Sequence, residues 1–292
     1  MNQAEKAGFY RWRPAACLRV SGEDALTFLQ GQFTNDLQQQ ESGQATYGLW
    51  LNQKGKVLAD SFVRKIAANE AWIVSYFSPA AVIRERLEAY IIADDVVIED
   101  VTESMRGLTI IGAATATGLR LGATAWSFRG RRTREAPAEI IFPADMETAV
   151  NAKLAGRTEL VTEQMEQLRI AAGIPAVPAD IGPSDLPNEG GLETEAISYT
   201  KGCYLGQEVM ARLKNLGQVR RRLLRVHGAG EPPACPAVVF QAARKAGELR
   251  SAARDGTGWI GLALVSLVQL KREAGLALAA DGAAVVTFTD VP

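Results

Sequence analysis

The sequence of 292 residues contains a single histidine, His227, and only three cysteines, Cys17, Cys203 and Cys235. A Ser-His-Asp or Cys-His nucleophile, or a zinc site that includes histidine, would have to use that one histidine. His227 lies in "RLLRVHGAG" at the end of a predicted strand, where a structural role is the more ordinary interpretation. The cysteines are odd in number, and their spacing fits no metal clamp. We therefore predict no metal site within the chain, and we expect any chemistry to use carboxylates, a thiol, a lysine or backbone amides.

A large charge of either sign is also lacking, because 32 lysines and arginines are balanced by 33 aspartates and glutamates, for a net charge of −1. General attraction to nucleic acid or to an anionic membrane is thereby excluded, and any such surface has to be local. No run reaches roughly 18 apolar residues, and the N-terminal stretch has no apolar signal-peptide region. We expect a cytoplasmic protein that does not enter a membrane. A GxGxxG after a strand and a Walker A motif are both missing, so nucleotide binding has no direct support.

What the sequence does contain predicts an α+β protein with an all-β C-terminal domain. Hydrophobic residues make up 47% of the chain and charged residues 22%, enough for a packed core. Helical spacing of apolar residues predicts three helices. They are 21–33, 78–92 and 158–173. Near the C-terminus, short apolar segments alternate with Gly and Pro, which indicates a β-barrel or a sandwich. We predict a core over 1–222, made of two α+β subdomains divided near 104, and a β-barrel over 223–292.

The stretch "YTKGCYLGQEVMAR", residues 199–212, has the composition of a binding loop. Gly202 and Gly206 allow close approach of the backbone to a ligand. Lys201 is placed to meet an anionic group. Gln207 and Glu208 offer amide and carboxylate edges, and they open a predicted helix whose N-terminal amides favour anions.

Cys203 lies within this stretch, and two interpretations of its thiol are open. Near a lysine and a helix N-terminus it could be a nucleophile or an iron ligand. The alternative is a buried structural thiol in a tight turn. Glycines and charged neighbours make a poor core segment, so we predict that Cys203 is accessible at the edge of a binding site.

"KGCYLGQE", followed by "AR" with Arg212, resembles the signature of the YgfZ family. These folate-binding proteins are related to the glycine-cleavage T-protein, an aminomethyltransferase, and to mitochondrial iron–sulfur assembly factors. The resemblance extends over nearly the whole chain. It is carried by "SGEDALTFLQGQFTND", "LWLNQKGKVLAD", "RIAAGIPAVPADIGPSDLPNEGGL", "GELRS" and "GWIGLALV". It implies a T-protein-like ring of α+β subdomains around a central folate channel, with a C-terminal β-barrel packed on it.

The same resemblance implies a ligand, a role and partners. The ligand is tetrahydrofolate or another folate derivative. The role is the assembly or repair of iron–sulfur clusters, with an indirect effect on tRNA-modifying iron–sulfur enzymes. The implied partners are iron–sulfur proteins or their assembly machinery, and direct binding of tRNA is not expected.

Site residues are implied one by one. Glu189 in "PNEGGL" matches the superfamily carboxylate that binds the pterin, whose amino group and ring N–H form a paired donor edge. Asn35 and Asp36 match the family's "TND" and are implied to line the channel, although such residues equally cap turns. The signature residues are implied to lie at the folate site, with Cys203 and Lys201 as candidate reactive groups. They are Lys201, Gly202, Cys203, Gly206, Gln207, Glu208 and Arg212.

Two alternatives stay open at this point. Asp60 in "KVLAD" falls where the T-protein has a pair of aspartates, so a folate-dependent aminomethyltransferase or demethylase could use it as a general base. Ala59 replaces the first aspartate of that pair, which weakens this interpretation.

The arginine clusters could bind RNA phosphate or a polyglutamyl folate tail, but we expect solvated charged faces. They are Arg129, Arg131, Arg132 and Arg134, and Arg220, Arg221 and Arg222.

Overall fold

The structure is a computed structural model that describes residues 7–40, 43–112, 122, 124–135, 137–217 and 219–289. Its core contains β1 Gly8–Trp12, β2 Ala16–Ser21, α1 Ala25–Gln32, β3 Thr46–Leu51, β4 Val57–Ala67, β5 Glu70–Ser75, α2 Ala80–Glu88, β6 Val97–Asp100, β7 Met105–Ile111, β8 Trp126–Arg129, β9 Ala138–Pro143, α3 Glu147–Leu154, α4 Thr162–Ala171 and α5 Gln207–Leu216. The C-terminal part contains β10 Arg221–Ala229, β11 Ala237–Gln241, β12 Arg244–Asp255, β13 Gly258–Ser266 and β14 Val286–Phe288. These strands form three antiparallel sheets.

The first sheet has the strand order β3-β4-β5-β2-β6, and an apolar cluster packs on each of its faces, although the edge strand β6 is mostly exposed. Successive side chains of a strand point to opposite faces, so β3 divides its residues between two apolar clusters. Trp50 packs with the buried residues of α1 and α2, whereas Tyr47, Leu49 and Leu51 belong to a central cluster shared with the rest of the protein. This alternation brings Tyr47 and, from β4, Phe62 to the middle of the molecule.

The second sheet has the order β1-β7-β9-β8, with α3 packed against one face through Val150 and Leu154. Its other face contributes to the central cluster, where Phe128 contacts Phe62 with ring centroids 4.6 Å apart. Strand β1 pairs with β7 over its whole length. The N-terminal strand therefore belongs to the same sheet as strands that come after residue 104 in the chain.

The third sheet has the order β11-β12-β13-β10-β14 and its own core around Val226, Leu249 and Trp259. It contains only strands and one short 3-10 turn among the described residues, so the prediction of an α+β protein with an all-β C-terminal domain is confirmed. Strand β10 begins at Arg221, two residues before the predicted boundary at 223. None of the helices in the described part of the chain is long and apolar enough to cross a membrane.

The predicted helices exist, but they begin two to four residues later than expected, α2 at Ala80 instead of 78 and α4 at Thr162 instead of 158. Helix α1 starts at Ala25 instead of Ser21, and its N-cap residue is Asp24. The carboxylate of Asp24 accepts the backbone N–H of Asp95 and not one of its own helix. Gly173 follows α4 with φ +73°, as expected for the glycine that ends a helix. Helix α3 was not predicted, because only Val150 and Leu154 of its eight residues are buried.

A long connecting segment, residues 172–206, joins α4 to α5 without a strand or an α-helix. It packs into the central cluster through Val177, Ile181 and Leu192, so its main chain is partly buried. Its own carboxylates supply the missing hydrogen bonds. Asp180 accepts the backbone N–H of Ala176, Asp185 accepts that of Gly182, and Glu189 accepts that of Leu186. Hydrogen bonds to side chains, instead of the backbone hydrogen bonds of a helix or sheet, thus fix the irregular backbone of this segment.

A buried ion pair fastens the connecting segment to both domains. Arg169 of α4 donates from Nη1 to Asp180 Oδ2 at 2.7 Å and from Nη2 to Ser251 Oγ of β12 at 3.1 Å. Ser251 Oγ donates in turn to Asp180 Oδ1 at 2.5 Å. Arg169 and Asp180 are both buried, and Arg169 also pairs with the more exposed Glu166 at 2.7 Å, so Asp180 is the buried one of two carboxylates that compensate the cation.

We predict that Asp180→Asn lowers the free energy of unfolding by about 3 kcal/mol, because the buried Arg169 cation then keeps only the more exposed carboxylate of Glu166 as an ion-pair partner. The measurement is denaturation by guanidinium chloride. Glu88→Gln is the matched control, because it removes the same charge from an exposed pair in which Arg84 Nε and Glu88 Oε1 are 2.6 Å apart. The control should lose far less stability. Equal losses in the two variants would contradict the interpretation.

Candidate functional site

A cavity of about 430 Å³ is lined by β3, β4, the loop after β8 and the connecting segment. This volume falls within the roughly 300–1,000 Å³ that is usual for small-molecule sites. Tyr47 and Phe62 form an aromatic wall, with ring centroids 5.2 Å apart. The charged residues in the lining are Arg129, Arg131, Arg134 and Glu195. The cavity therefore combines flat apolar faces with an excess of positive charge.

Arg131 and Glu195 form the polar centre of this cavity. Arg131 donates from Nε and Nη2 to Glu195 Oε2 at 3.2 and 3.1 Å, and from Nη1 to the Tyr47 hydroxyl at 3.1 Å. Its guanidinium also lies 4.2 Å from the centre of the Tyr47 ring. Glu195 is 63% exposed, and its Oε1 takes part in none of these bonds. The carboxylate thus keeps acceptor capacity for a ligand.

Asp60 lies behind the wall of the cavity and does not line it. The Tyr47 hydroxyl donates to Asp60 Oδ2 at 2.9 Å, while Ser78 and Ser75 donate to Oδ1 at 2.8 and 3.1 Å. Burial raises the pKa of Asp60. In this arrangement Asp60 orients the Tyr47 hydroxyl, and its own oxygens are occupied.

The expectation of a solvated arginine face at 129–134 is wrong for two of its four arginines. Arg131 is paired in the cavity, as described above. Arg132 is buried, with its guanidinium 3.8 Å from the centre of the Tyr76 ring and 4.5 Å from that of Trp12. Its Nε lies 3.6 Å from the buried carboxylate of Glu139. Apart from Glu139, these partners come from distant segments of the chain, so the local run of charge gave no sign of them. The arrangement holds the loop that presents the exposed Arg129 and Arg134 to the cavity.

The second arginine cluster is also engaged, and it holds Glu189. Arg221 donates from Nε to Glu189 Oε1 at 2.8 Å and from Nη2 to Oε2 at 2.9 Å. Arg222 pairs with Glu193 at 3.2 Å, so a solvated face is wrong here too, and of the three arginines Arg220 is the exposed one. Glu189 is buried, accepts Leu186 N and does not line the cavity. Its role toward a pterin stays a prediction, and a ligand would have to compete with Arg221.

Asn35 and Asp36 support the cavity from outside its lining. Asn35 Nδ2 donates to the carbonyl oxygens of Tyr47 at 2.8 Å and Glu195 at 2.9 Å, so it joins two cavity residues through their backbones. Asp36 Oδ1 accepts Gln30 Nε2 and the backbone N–H of Gln38, as a turn-capping residue does.

Lys201 is buried, and it contacts the end of α1. Its Nζ donates to the carbonyl oxygens of Gln30 at 2.6 Å, Phe33 at 2.7 Å and Asn35 at 3.0 Å. Burial lowers the pKa of Lys201 to about 8. Because an ammonium group has three N–H donors, none is left for an anionic ligand in this structure.

Cys203 is exposed, which confirms the prediction that it is accessible, but it does not line the cavity. Gly206 has φ +86° at the N-cap of α5, and a Cβ there would lie 3.1 Å from Asn52 O. The close approach that this glycine permits in the structure is to the β3–β4 turn, and its role toward a ligand stays a prediction. Gly202 has open space around it.

The remaining predicted residues lie on α5 or beyond it. Gln207 and Glu208 form the first turn of α5, and Glu208 and Arg212 are exposed. None of the three lines the cavity. His227 is an exposed strand residue with Nδ1 3.2 Å from Thr289 Oγ1, consistent with a structural role. Among the residues that the structure describes, no three His, Cys, Asp or Glu side chains converge as metal ligands.

Comparison with known proteins identifies both parts of the chain. Residues 3–125 match the GCVT N-terminal domain, and residues 220–290 match the CAF17 C-terminal beta-barrel domain. The chain is 28% identical to the mitochondrial iron-sulfur cluster assembly factor IBA57 of Homo sapiens, over 94% of this chain and 82% of that protein. It is 28% identical to the tRNA-modifying protein YgfZ of Vibrio vulnificus, over 79% of this chain and 73% of that protein. These findings confirm the resemblance inferred from the sequence.

The fold has a counterpart among solved structures. The glycine cleavage system aminomethyltransferase T of Bartonella henselae superimposes with a TM-score of 0.81, over 98% of this chain and 86% of that chain. The identity is 18%, so this likeness concerns the fold alone. The predicted T-protein-like fold with a C-terminal β-barrel domain is confirmed.

We predict that Lys201→Met lowers the free energy of unfolding by about 3 kcal/mol, because three carbonyl groups at the end of α1 lose a charged donor. Chemical denaturation measures the loss. Lys54→Met is the control, since Lys54 is exposed in the β3–β4 turn. A loss no larger than that of the control would show that Lys201 is free for another role.

Proposed function

Because the chain combines a GCVT N-terminal domain with a CAF17 C-terminal β-barrel domain, we propose that it is a folate-binding accessory protein of iron–sulfur cluster assembly or repair. Its effect on tRNA-modifying iron–sulfur enzymes would be indirect, and its proposed compartment is the cytoplasm. The observation that carries the folate assignment is the cavity with its aromatic wall, its Arg131–Glu195 pair and its arginine rim.

The chemistry of the lining fits tetrahydrofolate. A pterin is flat and presents an amino group and a ring N–H side by side, which one carboxylate accepts together. Tyr47 and Phe62 supply flat faces, and Glu195 supplies an exposed carboxylate. Arg129 and Arg134 are exposed at the rim, where they would attract the carboxylates of the glutamate tail. When bound, the cofactor would supply one-carbon chemistry.

We assign the pterin contact to Glu195 in preference to Glu189. Both oxygens of Glu189 already accept bonds from Arg221, and Oε2 also accepts the backbone N–H of Leu186. A ligand at Glu189 would first have to break that pair, which costs free energy that Glu195 does not require. Glu189 then serves to hold the connecting segment that carries Glu195.

The alternative, a folate-dependent aminomethyltransferase or demethylase, has weaker support. Its candidate base, Asp60, is buried behind Tyr47 with both oxygens occupied. Asp60 therefore reaches the cavity only through the Tyr47 hydroxyl. The assay that separates the two functions is formation of methylene-tetrahydrofolate from an aminomethyl donor. Turnover that Asp60→Asn abolishes would favour the alternative.

The proposed link to iron–sulfur clusters is supported by the names of the relatives and by the exposed thiol of Cys203. One thiolate cannot hold a cluster alone, so a cluster would be cargo shared with a partner. Direct binding of tRNA is not part of the proposal, because most arginines of the two basic clusters already have partners within the chain.

We predict that the protein binds 5-formyl-tetrahydrofolate and that Glu195→Gln weakens the binding by about 2–4 kcal/mol, since a charged acceptor is lost. Isothermal titration calorimetry measures the affinity. Glu189→Gln should change the affinity less, after denaturation has shown that the variant is folded. The opposite ranking would move the pterin to Glu189 and refute the assignment to this cavity.

A separate prediction concerns Cys203. In a strain that lacks the gene, Cys203→Ser should fail to restore the activity of iron–sulfur enzymes, yet it should bind folate normally. Cys235→Ser is the matched control, because Cys235 is also an exposed thiol. Full complementation by Cys203→Ser would show that the thiol has no chemical role.

A further inference from the structure

A second cavity, of about 790 Å³, lies in the C-terminal domain and shares no lining residue with the first. It is formed by the turn between β11 and β12, the loop after β13 and the segment 274–284. The proposed folate function does not involve this region.

The charged side chains that line the second cavity are all positive. Arg244, Lys245 and Lys271 line it, and no Asp or Glu occurs among its described lining residues. All three cations are exposed, and none forms an ion pair with the described residues, unlike the arginines of the first cavity and of α4. Three positive charges without an ion-pair partner among the described residues therefore line one concave surface, which favours an anionic partner. The acidic residues next to the lining in the chain, Glu273 and Asp281, are exposed and lie outside it.

The cavity is held open by hydrogen bonds. Gln241 Nε2 donates to the carbonyl oxygens of Lys271 at 2.8 Å and Gly275 at 2.7 Å, and Gln241 Oε1 accepts Lys271 N at 2.9 Å. Phe240 and Ala277 exchange backbone hydrogen bonds at 2.9 and 2.8 Å. The loop after β13 and the segment 274–284 are thereby fixed to the end of β11, so the concave surface is preformed.

Backbone strain is concentrated at this cavity. Ala242 (φ 49°), Ala243 (φ 61°) and Gln269 (φ 64°) are the non-glycine residues with a left-handed backbone in the described part of the chain, and all three line it. Each such residue costs on the order of 1 kcal/mol. Asn-Gly is the usual choice for a two-residue hairpin turn like Ala242–Ala243. Strain of this kind clusters at functional sites.

The surroundings are aliphatic. Val268 lines the cavity and is 63% exposed. Leu267, Leu278 and Val285 are also exposed and lie one or two positions along the chain from lining residues. Aliphatic side chains exposed beside a concave surface are available to a protein partner. Phe240 is the one aromatic residue in the described lining, so a surface for stacking nucleic-acid bases is missing there.

We propose that this cavity is a docking site for an acidic segment of a partner protein, in which Asp or Glu residues alternate with Leu, Ile or Val. The carboxylates would pair with Arg244, Lys245 and Lys271. The aliphatic side chains would cover the alanine-rich floor and Val268. Such a site would let a partner bind the C-terminal domain independently of folate in the core.

The test is selection of peptides from a random library displayed against the full-length protein, followed by fluorescence anisotropy with the selected peptides. Selected sequences should combine Asp or Glu with aliphatic residues. The double variant Lys245→Glu and Lys271→Glu should weaken their binding at least about tenfold, which corresponds to about 1.4 kcal/mol. The control Lys54→Glu and Arg13→Glu makes the same change of charge at exposed sites outside the cavity and should bind as the unaltered protein does.

Other outcomes overturn the proposal. Selected peptides without acidic residues, or equal binding by both double variants, would refute it. If the cavity variant loses affinity for a labelled single-stranded RNA and not for the peptides, the site binds nucleic acid. If it abolishes a concentration-dependent dimer in analytical ultracentrifugation, the occupant is a second copy of the chain. Unchanged melting temperature and unchanged binding of 5-formyl-tetrahydrofolate show that the variant is folded, and they keep this test separate from that of the folate site.

Discussion

The structure depends on how the connecting segment, residues 172–206, satisfies its buried backbone. A partly buried chain without a helix or a strand needs side-chain partners for its N–H and C=O groups. Asp180, Asp185 and Glu189 accept its N–H groups, and Thr34 Oγ1 donates to Ala196 O at 2.6 Å. Asn35 holds the carbonyl of Glu195. These bonds fix the segment beside the first sheet, and they place the Glu195 carboxylate at the mouth of the cavity.

This requirement explains why several residues with the look of ligands have structural partners. Glu189 is held by Arg221, and Lys201 donates to three carbonyl groups. The sequence alone does not distinguish a charged loop residue that forms hydrogen bonds with the backbone from one that binds a ligand. The difference lies in what surrounds it, and here the polar side chains that converge at a cavity are Arg131 and Glu195.

Much of the fold could be predicted from the sequence, because its signals are local. Periodic apolar residues indicated α2 and α4, and the alternation of apolar segments with Gly and Pro indicated the all-β C-terminal domain. The pairing of β1 with β7 could not be predicted, since nothing near β1 shows its distant partner. The partners of Arg131 and Arg132 were hidden for the same reason. The sequence shows Tyr47 as an aromatic residue on a predicted strand. Its position in the cavity follows from the register of β3 and β4, which the sequence does not show.

The central claim is that folate occupies the cavity between Tyr47 and Glu195, while the other charged loop residues hold the fold. The most direct measurement is a crystal structure of the protein with 5-formyl-tetrahydrofolate. We expect pterin density against the Tyr47–Phe62 wall, a contact to the Glu195 carboxylate and an intact Glu189–Arg221 pair. Pterin density at Glu189 with Arg221 displaced, or an empty cavity at a saturating concentration of ligand, would contradict the account.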